Sequence, residues 1–265
     1  MHLLAWIVLF TALGGALSAL AASLFLIAPE TLRARVLPHL VSFATGALLG
    51  AALLGLLPHA VEAAGISGTH NVGLTLLAGL LMFFVLEKMV LWRHCHSEVC
   101  EGHVPHAHGH ATDAHRDAAS ASLILIGDGF HNVLDGVLIA AAFMTDVHLG
   151  VVTALAVIAH EIPQEVGDLA ILLHGGMSRM RALTLNLLTS LTSVVGGVAA
   201  YFALGPVQQV LPYAISLAAA SFLYIAVADL IPGLHRRVDP GSGVRQFVFI
   251  VLGVAVIYVS HSLAH

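Results

Sequence analysis

The feature that most constrains this chain is residues 182–228, a stretch that contains no Asp, Glu, Lys, Arg or His. A helix needs roughly 20 apolar residues to cross about 30 Å of hydrocarbon, so this stretch is long enough for two crossings. Only 9% of the 265 residues are charged, whereas a soluble domain carries about 25%. Too little charge is left to cover a water-exposed surface, so we predict an all-α integral membrane protein.

The apolar runs predict eight transmembrane helices in a single transmembrane domain that covers 1–265. The first run has no Lys or Arg ahead of it, which favours a retained span over a secretory signal. Gly205-Pro206 is expected to divide the long uncharged stretch into two spans. The predicted spans are about 3–27, 39–61, 72–91, 119–144, 149–173, two within 182–228, and 246–263.

The basic residues all fall at or in alternate connections between these spans. They are Arg33, Arg35, Lys88, Arg93, Arg116, Arg179, Arg181, Arg236, Arg237 and Arg245. Since connections rich in Lys and Arg stay in the cytoplasm, both termini are predicted to be extracytoplasmic. The formal charge of −5 offers no basic surface for nucleic acid, so we expect none as a partner.

Two predicted spans carry ionisable side chains near mid-membrane, where each one facing lipid would cost roughly 2.5–3.5 kcal/mol. These groups must therefore face one another, water or an ion. They are Asp128, His131 and Asp135 in the fourth span, and His160, Glu161, Glu165 and Asp168 in the fifth.

Helical spacing indicates which of these side chains share a face. His131 and Asp135 lie one turn apart with Asn132 beside them, and His160 lies one turn before Gln164. The remaining acids of the fifth span form an adjoining stripe. Pro163 is expected to kink the fifth span and free a backbone carbonyl. Interrupted helices of this kind are where transporters build ion sites.

Two imidazoles with several carboxylates suit borderline divalent ions such as zinc, manganese or ferrous iron. The same groups also suit a proton relay. We predict a transporter whose metal site lies between the fourth and fifth helices and whose ion is Zn²⁺ first, with Cd²⁺, Fe²⁺ and Mn²⁺ as other candidates. In it, Asp128 and Asp168 support the metal ligands from outside the site or relay protons. No prosthetic group is expected.

The two polar strings resemble the ZIP (Zrt-/Irt-like) family of metal transporters, and in particular the subfamily with HN-x-x-DG followed by HE-x-P-x-E-x-GD. His131-Asn132 to Asp135-Gly136 fits the first motif, and His160-Glu161 to Gly167-Asp168 fits the second. The eight spans, the external termini and the histidine-rich third connection are similar as well. The resemblance therefore extends over nearly the whole chain.

The resemblance implies that His131, Asp135, His160 and Glu161 bind the metal, with Asn132 alongside. Gln164 departs from the commonest motif, in which a second histidine stands at this position. Some relatives bind two metals with a glutamate there and another on the sixth span, which here has no acid. The resemblance therefore implies one main site, with the glutamates, Glu165 among them, balancing charge. It also implies transport toward the cytoplasm by one helix group sliding against another.

Further candidates lie outside the two motifs. His59 and Glu62 are expected at the external entrance, and Asp229 at the cytoplasmic end of the seventh span. Residues 93–117 are predicted to be a flexible, histidine-rich cytoplasmic loop that buffers or senses metal. Within it His106, His108 and His110 form a plausible weak chelator, since neutral imidazoles bind zinc.

Two other classes of protein remain open. His160-Glu161 begins like the H-E-x-x-H of metalloproteases, but Gln164 stands where the second histidine is needed. We therefore predict no enzyme, although an intramembrane metalloprotease is one alternative. A proton- or sodium-coupled carrier of another solute is the other. The expected location is a lipid bilayer, specifically a bacterial inner membrane, and a homodimer is one expectation for the assembly.

Overall fold

The computed structural model describes residues 2–94, 113–174, 176–235 and 240–262, and they are helical nearly throughout, with no strand among them. The helices in chain order are α1 (Leu3–Ile27), α2 (Glu30–Gly50), α3 (Leu57–His94), α4 (Asp113–Thr145), α5 (Val147–His174), α6 (Arg179–Ser190), α7 (Thr192–Leu204), α8 (Leu211–Tyr224), α9 (Ile231–His235) and α10 (Pro240–Ser262). The prediction of an all-α membrane protein is confirmed.

Short irregular segments link several of these helices. A π-helical turn (Ala51–Leu56) joins α2 to α3, and a second one (Ile225–Leu230) joins α8 to α9. A 3-10 turn (Gly205–Val210) joins α7 to α8 and contains non-helical backbone at Val207. It lies where the Gly-Pro pair predicted a division. Inside α3, Gly65 has a φ of 66°, which glycine adopts without a Cβ clash.

Six helical stretches of the described chain are long and apolar enough to cross a membrane: Leu3–Ile27, Glu30–Met89, Leu125–Thr145, Val147–Leu173, Arg179–His235 and Ser242–Ser260. Two of them have 60 and 57 residues, counting the irregular segments above. Helical rise alone would make each about 85–90 Å long, far more than the membrane core of about 30 Å.

The described helices begin and end somewhat differently from the predicted spans. α2 begins at Glu30, directly after Pro29, rather than near 39, because proline fits the start of a helix. α3 continues to His94 and α4 begins at Asp113, so both ends of the predicted 93–117 loop are helical. The central part of that loop, 95–112, lies outside the described residues.

The helices pack in two groups. In the first, α4 lies along α7 and α1 lies along α5, while α6 and α7 contact α1 and α4. In the second, α2 lies along α10 and α3 lies along α8. The groups meet where α2 contacts α5 and where α4 contacts α8. The buried core between them contains Leu48, Ile139, Phe143, Ile215 and Phe222.

Large apolar side chains cover the outside of the molecule, as a bilayer requires. Val195, Phe202 and Phe247 are each about two-thirds exposed.

The connection between α4 and α5 is polar, and Asp146 in it caps the start of α5. The Asp146 carboxylate accepts hydrogen bonds from the backbone N–H groups of His148 (2.8 Å) and Leu149 (3.0 Å), which satisfies donors at the start of α5.

Candidate metal centre

Two histidines and two carboxylates converge between α4 and α5. His131 and Asp135 lie one turn apart on α4, and His160 and Glu161 are consecutive on α5. One ligand atom from each of the four residues lies within 4.8 Å of all the others. α5 continues as one helix through Pro163, so these side chains are presented from two helices that pass side by side.

The closest distances in this four-residue group join the two imidazole Nε2 atoms to each other and to the carboxylates. His160 Nε2 lies 3.2 Å from Asp135 Oδ2 and 3.5 Å from Glu161 Oε1. His131 Nε2 lies 3.3 Å from Glu161 Oε1 and 3.3 Å from His160 Nε2. A single small cation would fit where these four atoms point.

The orientation of His160 is fixed by the backbone of its own helix. Its Nδ1 lies 3.2 Å from the carbonyl oxygen of Ala156, one turn earlier, so Nδ1–H donates there and Nε2 is left as the free lone pair. A hydrogen bond of this kind commonly holds a metal-binding imidazole in the correct tautomer. The ring also packs edge-on against Phe222 of α8, with centroids 6.2 Å apart, and so contacts the second helix group.

Burial gives this group its chemical character. Asp135, His160 and Glu161 are almost completely buried, whereas the His131 side chain is 24% exposed. The Nε2 atoms of His131 and His160 lie 3.2–3.8 Å from one oxygen of each of the Asp135 and Glu161 carboxylates. Buried carboxylates need a positive partner, which a protonated imidazole or a bound cation supplies.

His131 forms part of the wall of a cavity of about 650 Å³. The last turns of α3 and the middle of α4 line it with apolar side chains that include Phe83, Phe130 and Leu134. Gln164, Glu87 and Asp229 add polar groups to the same wall. The cavity thus lies at the exposed edge of the four-residue group, between α3, α4 and α8.

A second group of carboxylates lies next to the first. Asp128, Glu161 and Glu165 each offer an oxygen within 4.8 Å of the others, and all three side chains are buried. The Ser190 hydroxyl of α6 donates a short hydrogen bond to Glu165 Oε1. Glu161 belongs to both groups.

The other predicted site residues take different positions. Asn132 donates from Nδ2 to the Asp128 carboxylate (2.9 Å) and backbone carbonyl (3.1 Å), so it contacts that acid rather than the four-residue group. Gln164 is half-buried and lines the cavity. Asp168 is half-buried and belongs to neither group of converging atoms.

The predicted pathway ends are described in part. His59 is half-buried, with its Nδ1 2.9 Å from the Gly55 carbonyl oxygen, and Glu62 is exposed. Asp229 is exposed and lines the cavity. The three loop residues His106, His108 and His110 lie outside the described residues.

Two contacts at the site were not predicted from the sequence. Ser190 reaches Glu165 from α6, and the Tyr224 hydroxyl donates a short hydrogen bond to Glu87 across the cavity wall. Glu87 is an acid within the apolar run 72–91, so its position was a signal that sequence reasoning left unused. Nothing in the local sequence marks Ser190 or Tyr224.

Residues 92–261 match the family described as ZIP Zinc transporter. The chain is 31% identical to "Zinc transporter ZIP13" of Pongo abelii, over 83% of this chain and 65% of that protein. It is 30% identical to "Zinc transporter zipt-7.1" of Caenorhabditis briggsae, over 96% of this chain and 78% of that protein. It is also 34% identical to "Zinc transporter ZIP5" of Homo sapiens, over 81% of this chain and 50% of that protein. The chain thus spans between half and about three quarters of these relatives.

Proposed function

The chain belongs to the ZIP zinc transporter family, and we propose that it carries a divalent transition metal, zinc foremost, across a membrane toward the cytoplasm. The observation that carries this proposal is the convergence of two imidazoles and two carboxylates within 4.8 Å inside an apolar helix bundle. The relatives named above are zinc transporters by name, which supports zinc over Cd²⁺, Fe²⁺ and Mn²⁺ as the physiological ion.

We assign His131, Asp135, His160 and Glu161 as the direct ligands of the transported ion. Gln164 stands at the cavity wall one turn after His160 and is a candidate for an additional, weaker ligand. A mixed nitrogen and oxygen donor set suits Zn²⁺, which binds both with bonds of about 2.0–2.2 Å. Asn132, Glu165, Asp128 and Asp168 act on the charge and orientation of these ligands.

The membrane topology that we propose has eight crossings with both termini outside. Each of the two long helical stretches would cross twice, turning at Gly65 and at Gly205–Val210. The basic side chains then all lie on the cytoplasmic side. With this orientation the cavity beside His131 opens to the cytoplasm, and Asp229 lies along the exit.

The two helix groups supply the moving parts of the proposed mechanism. The four metal ligands belong to the first group, and Phe222 of the second group packs against His160. Sliding of the first group would carry the ion from an external opening, near His59 and Glu62, to the cytoplasmic cavity. Alternating access of this kind is how secondary transporters work.

Two alternatives make different predictions. A metalloprotease needs both histidines of H-E-x-x-H as zinc ligands, and Gln164 replaces the second of them. A proton- or sodium-coupled solute carrier would show no metal specificity at the four-residue group.

We propose that this multi-pass protein lies in a bacterial inner membrane, because the chain is compact and its loops are short. The relatives named above are from animals. A homodimer is the assembly that we propose.

The test is uptake of zinc and of cadmium into proteoliposomes by the wild type, Asp135→Asn and His160→Ala. Loss of one direct ligand should lower metal flux at least about tenfold, because changing even a group that hydrogen-bonds to a metal ligand typically lowers metal affinity or activity about tenfold or more. His70→Ala, which removes an exposed histidine on α3, is the matched control and should transport normally. Wild-type flux in folded Asp135→Asn and His160→Ala would refute the site. Absence of any metal flux in correctly oriented wild type would refute the function.

A further inference from the structure

A pocket of about 360 Å³ lies between α2 and α10, in the second helix group. It is separate from the cavity beside His131, because no residue lines both. Its wall is apolar except for two side chains, and none of its lining residues is acidic. The lining residues are Arg35, Val36, His39, Leu40 and Phe43 of α2 and Phe249 of α10. All six are exposed or half-buried, so the pocket is open to the surroundings of the helix bundle.

Glycines bring the two helices together next to this pocket. A Cβ on Gly46 of α2 would collide with the Ile250 carbonyl of α10, and one on Gly50 would lie 3.4 Å from Val254 Cα. Contact therefore advances along both chains in the same direction, which makes the helices parallel. Nearer the helix starts, larger side chains replace glycine and hold the backbones apart, and the pocket lies in the resulting gap.

Two rings connect the helices within the pocket. The His39 and Phe249 rings meet edge to face, with centroids 4.7 Å apart and an interplanar angle of 67°. His39 Nδ1–H donates to the Arg35 carbonyl oxygen (2.7 Å), which fixes the orientation of the imidazole against its own helix. The pocket therefore has a defined wall of aromatic and aliphatic side chains.

Positive charge lies at one end of the pocket. Arg35 is exposed and lies one turn before His39, and Arg245 is exposed and lies one turn before Phe249. Because the helices are parallel, both arginines lie toward the same end. Glu30 is five residues before Arg35 and so projects roughly 140° around the helix from it. Under the proposed topology, the arginine end is at the cytoplasmic surface of the membrane.

We propose that this pocket binds an anionic glycerophospholipid, exemplified by phosphatidylglycerol. An acyl chain lies against Val36, Leu40 and Phe43, and the lipid phosphate pairs with Arg35. Basic pockets between transmembrane helices at the cytoplasmic surface bind anionic head groups in this way. A soluble phosphate ion would leave the apolar wall in water, whereas a phospholipid matches both the apolar wall and the charged end.

The place of the pocket also indicates what the lipid does. Both α2 and α10 belong to the second helix group, and α2 contacts α5 of the first group. A lipid whose phosphate is held by Arg35 fixes the depth of the second group in the membrane. The first group then slides against a partner of fixed depth. Binding of the lipid itself does not depend on the proposed transport of zinc.

The test places a fluorescent indole in the pocket by the aromatic exchange Phe249→Trp. Full-length protein is reconstituted in mixed phosphatidylglycerol and phosphatidylethanolamine vesicles, in which first one lipid and then the other carries brominated chains. Bromine quenches an indole that it contacts, so the two series give the ratio of the binding constants of the lipids at the pocket. Phosphatidylglycerol should bind at least about fivefold more tightly, the effect of one arginine beside an anionic lipid. Quenching of Trp6 and Trp92 is measured in the wild type and subtracted.

Matched variants separate the pocket from the rest of the lipid-facing surface. Phe247→Trp is two residues away on the same helix, at a side chain that is 66% exposed, and should give a ratio near one. Adding Arg35→Gln to Phe249→Trp should lower the preference about fivefold. Adding Arg181→Gln, which removes an exposed arginine of α6 and the same formal charge, should leave the preference unchanged.

A ratio near one at Phe249→Trp, or a preference that Arg35→Gln leaves intact, would overturn the proposal. Absence of quenching there by either lipid would also overturn it and indicate that a second copy of the chain covers the pocket. A second measurement keeps Phe249 in place. In mass spectra of the intact purified protein, phosphatidylglycerol should stay bound to the wild type and Arg181→Gln and be largely lost from Arg35→Gln; equal retention by all three would contradict the assignment. No step involves zinc, so failure of the transport proposal would leave these results unaffected.

Discussion

At the scale of single residues, Gln164 is the position where this chain departs from the commonest form of its motif. Its side chain is half-buried, lies one turn after His160, lines the cavity and also contacts the buried Asp128 carboxyl group. A neutral amide oxygen is a weak ligand for zinc compared with imidazole. We therefore expect this chain to hold the transported ion less tightly than a relative with histidine there, and to release it sooner.

Replacing Gln164 with histidine should reverse that property. In Gln164→His the new imidazole can bind from the cavity side, so the KM for zinc uptake should fall about tenfold, which corresponds to about 1.4 kcal/mol of added binding. Because the same contact slows release, kcat should fall as well. Initial rates of zinc uptake against concentration measure both constants. Gln164→Asn is the control for a changed side chain without imidazole, and an unchanged KM in Gln164→His would show that residue 164 does not reach the ion.

At the scale of helices, the closest backbone contacts lie inside each of the two groups. A Cβ on Gly136 of α4 would collide with the Ser193 carbonyl of α7, and one on Gly46 of α2 would collide with the Ile250 carbonyl of α10. Between the groups, a Cβ on Gly55 would meet only side-chain atoms of Leu149 and Val152, at 3.5 and 3.8 Å. Small residues thus join the backbones within a group and leave side-chain packing between groups. This difference suits groups that move as rigid units.

Filling the α4–α7 contact should therefore destabilise the protein, whereas filling a nearby open position should not. Gly136→Ala places a methyl group against backbone, which cannot yield, and should cost about 1–3 kcal/mol or prevent folding. Gly129→Ala is on the same helix, and its Cβ would lie 3.8 Å from the Thr189 side chain, an ordinary contact. The midpoint of thermal unfolding in detergent and the yield of monodisperse protein give the comparison. Equal stability of the two variants would contradict the close approach.

At the scale of the whole molecule, the two sides of the four-residue group differ, because the cavity lies on only one of them. On one side of the four-residue group, Leu138, Ile139 and Phe143 of α4 are buried in the core. On the other side, Ile126 and Phe130 of the same helix are exposed and line the cavity. The cavity therefore lies on one side of the four-residue group and the packed core on the other. Under the proposed topology, the cavity side is cytoplasmic.

Labelling from the two sides of the membrane tests this orientation. In a chain whose Cys95 and Cys100 are replaced by serine, Phe130→Cys should react with a membrane-impermeant maleimide in inside-out vesicles and not in intact cells. Ile66→Cys, at the fully exposed turn next to Gly65, should react in intact cells only. Zinc should slow the reaction of Phe130→Cys, because the new cysteine and His131 line the same cavity and a zinc ion bound at His131 would hinder the maleimide there. Reaction of Phe130→Cys in intact cells alone would reverse the assigned direction.

The sequence by itself determined that this is an all-α membrane protein and which side chains are candidate metal ligands. Scarcity of charge required a lipid-facing surface, and the 3.6-residue period put His131 and Asp135 on one face of one helix. These are local properties, so they can be obtained from spacing and composition. The family resemblance rests on the same residues, which is why it agreed with the comparisons.

Only the tertiary structure decided which polar groups meet across helices. It brought Asp128 to Glu161 and Glu165, turned Asn132 toward Asp128, and covered Glu165 with Ser190 of α6. It also exposed His131 to a cavity while His160 stayed buried. These outcomes depend on how far each helix is rotated and how closely neighbouring helices approach. Packing between residues far apart in the sequence sets both quantities, and no local pattern records them.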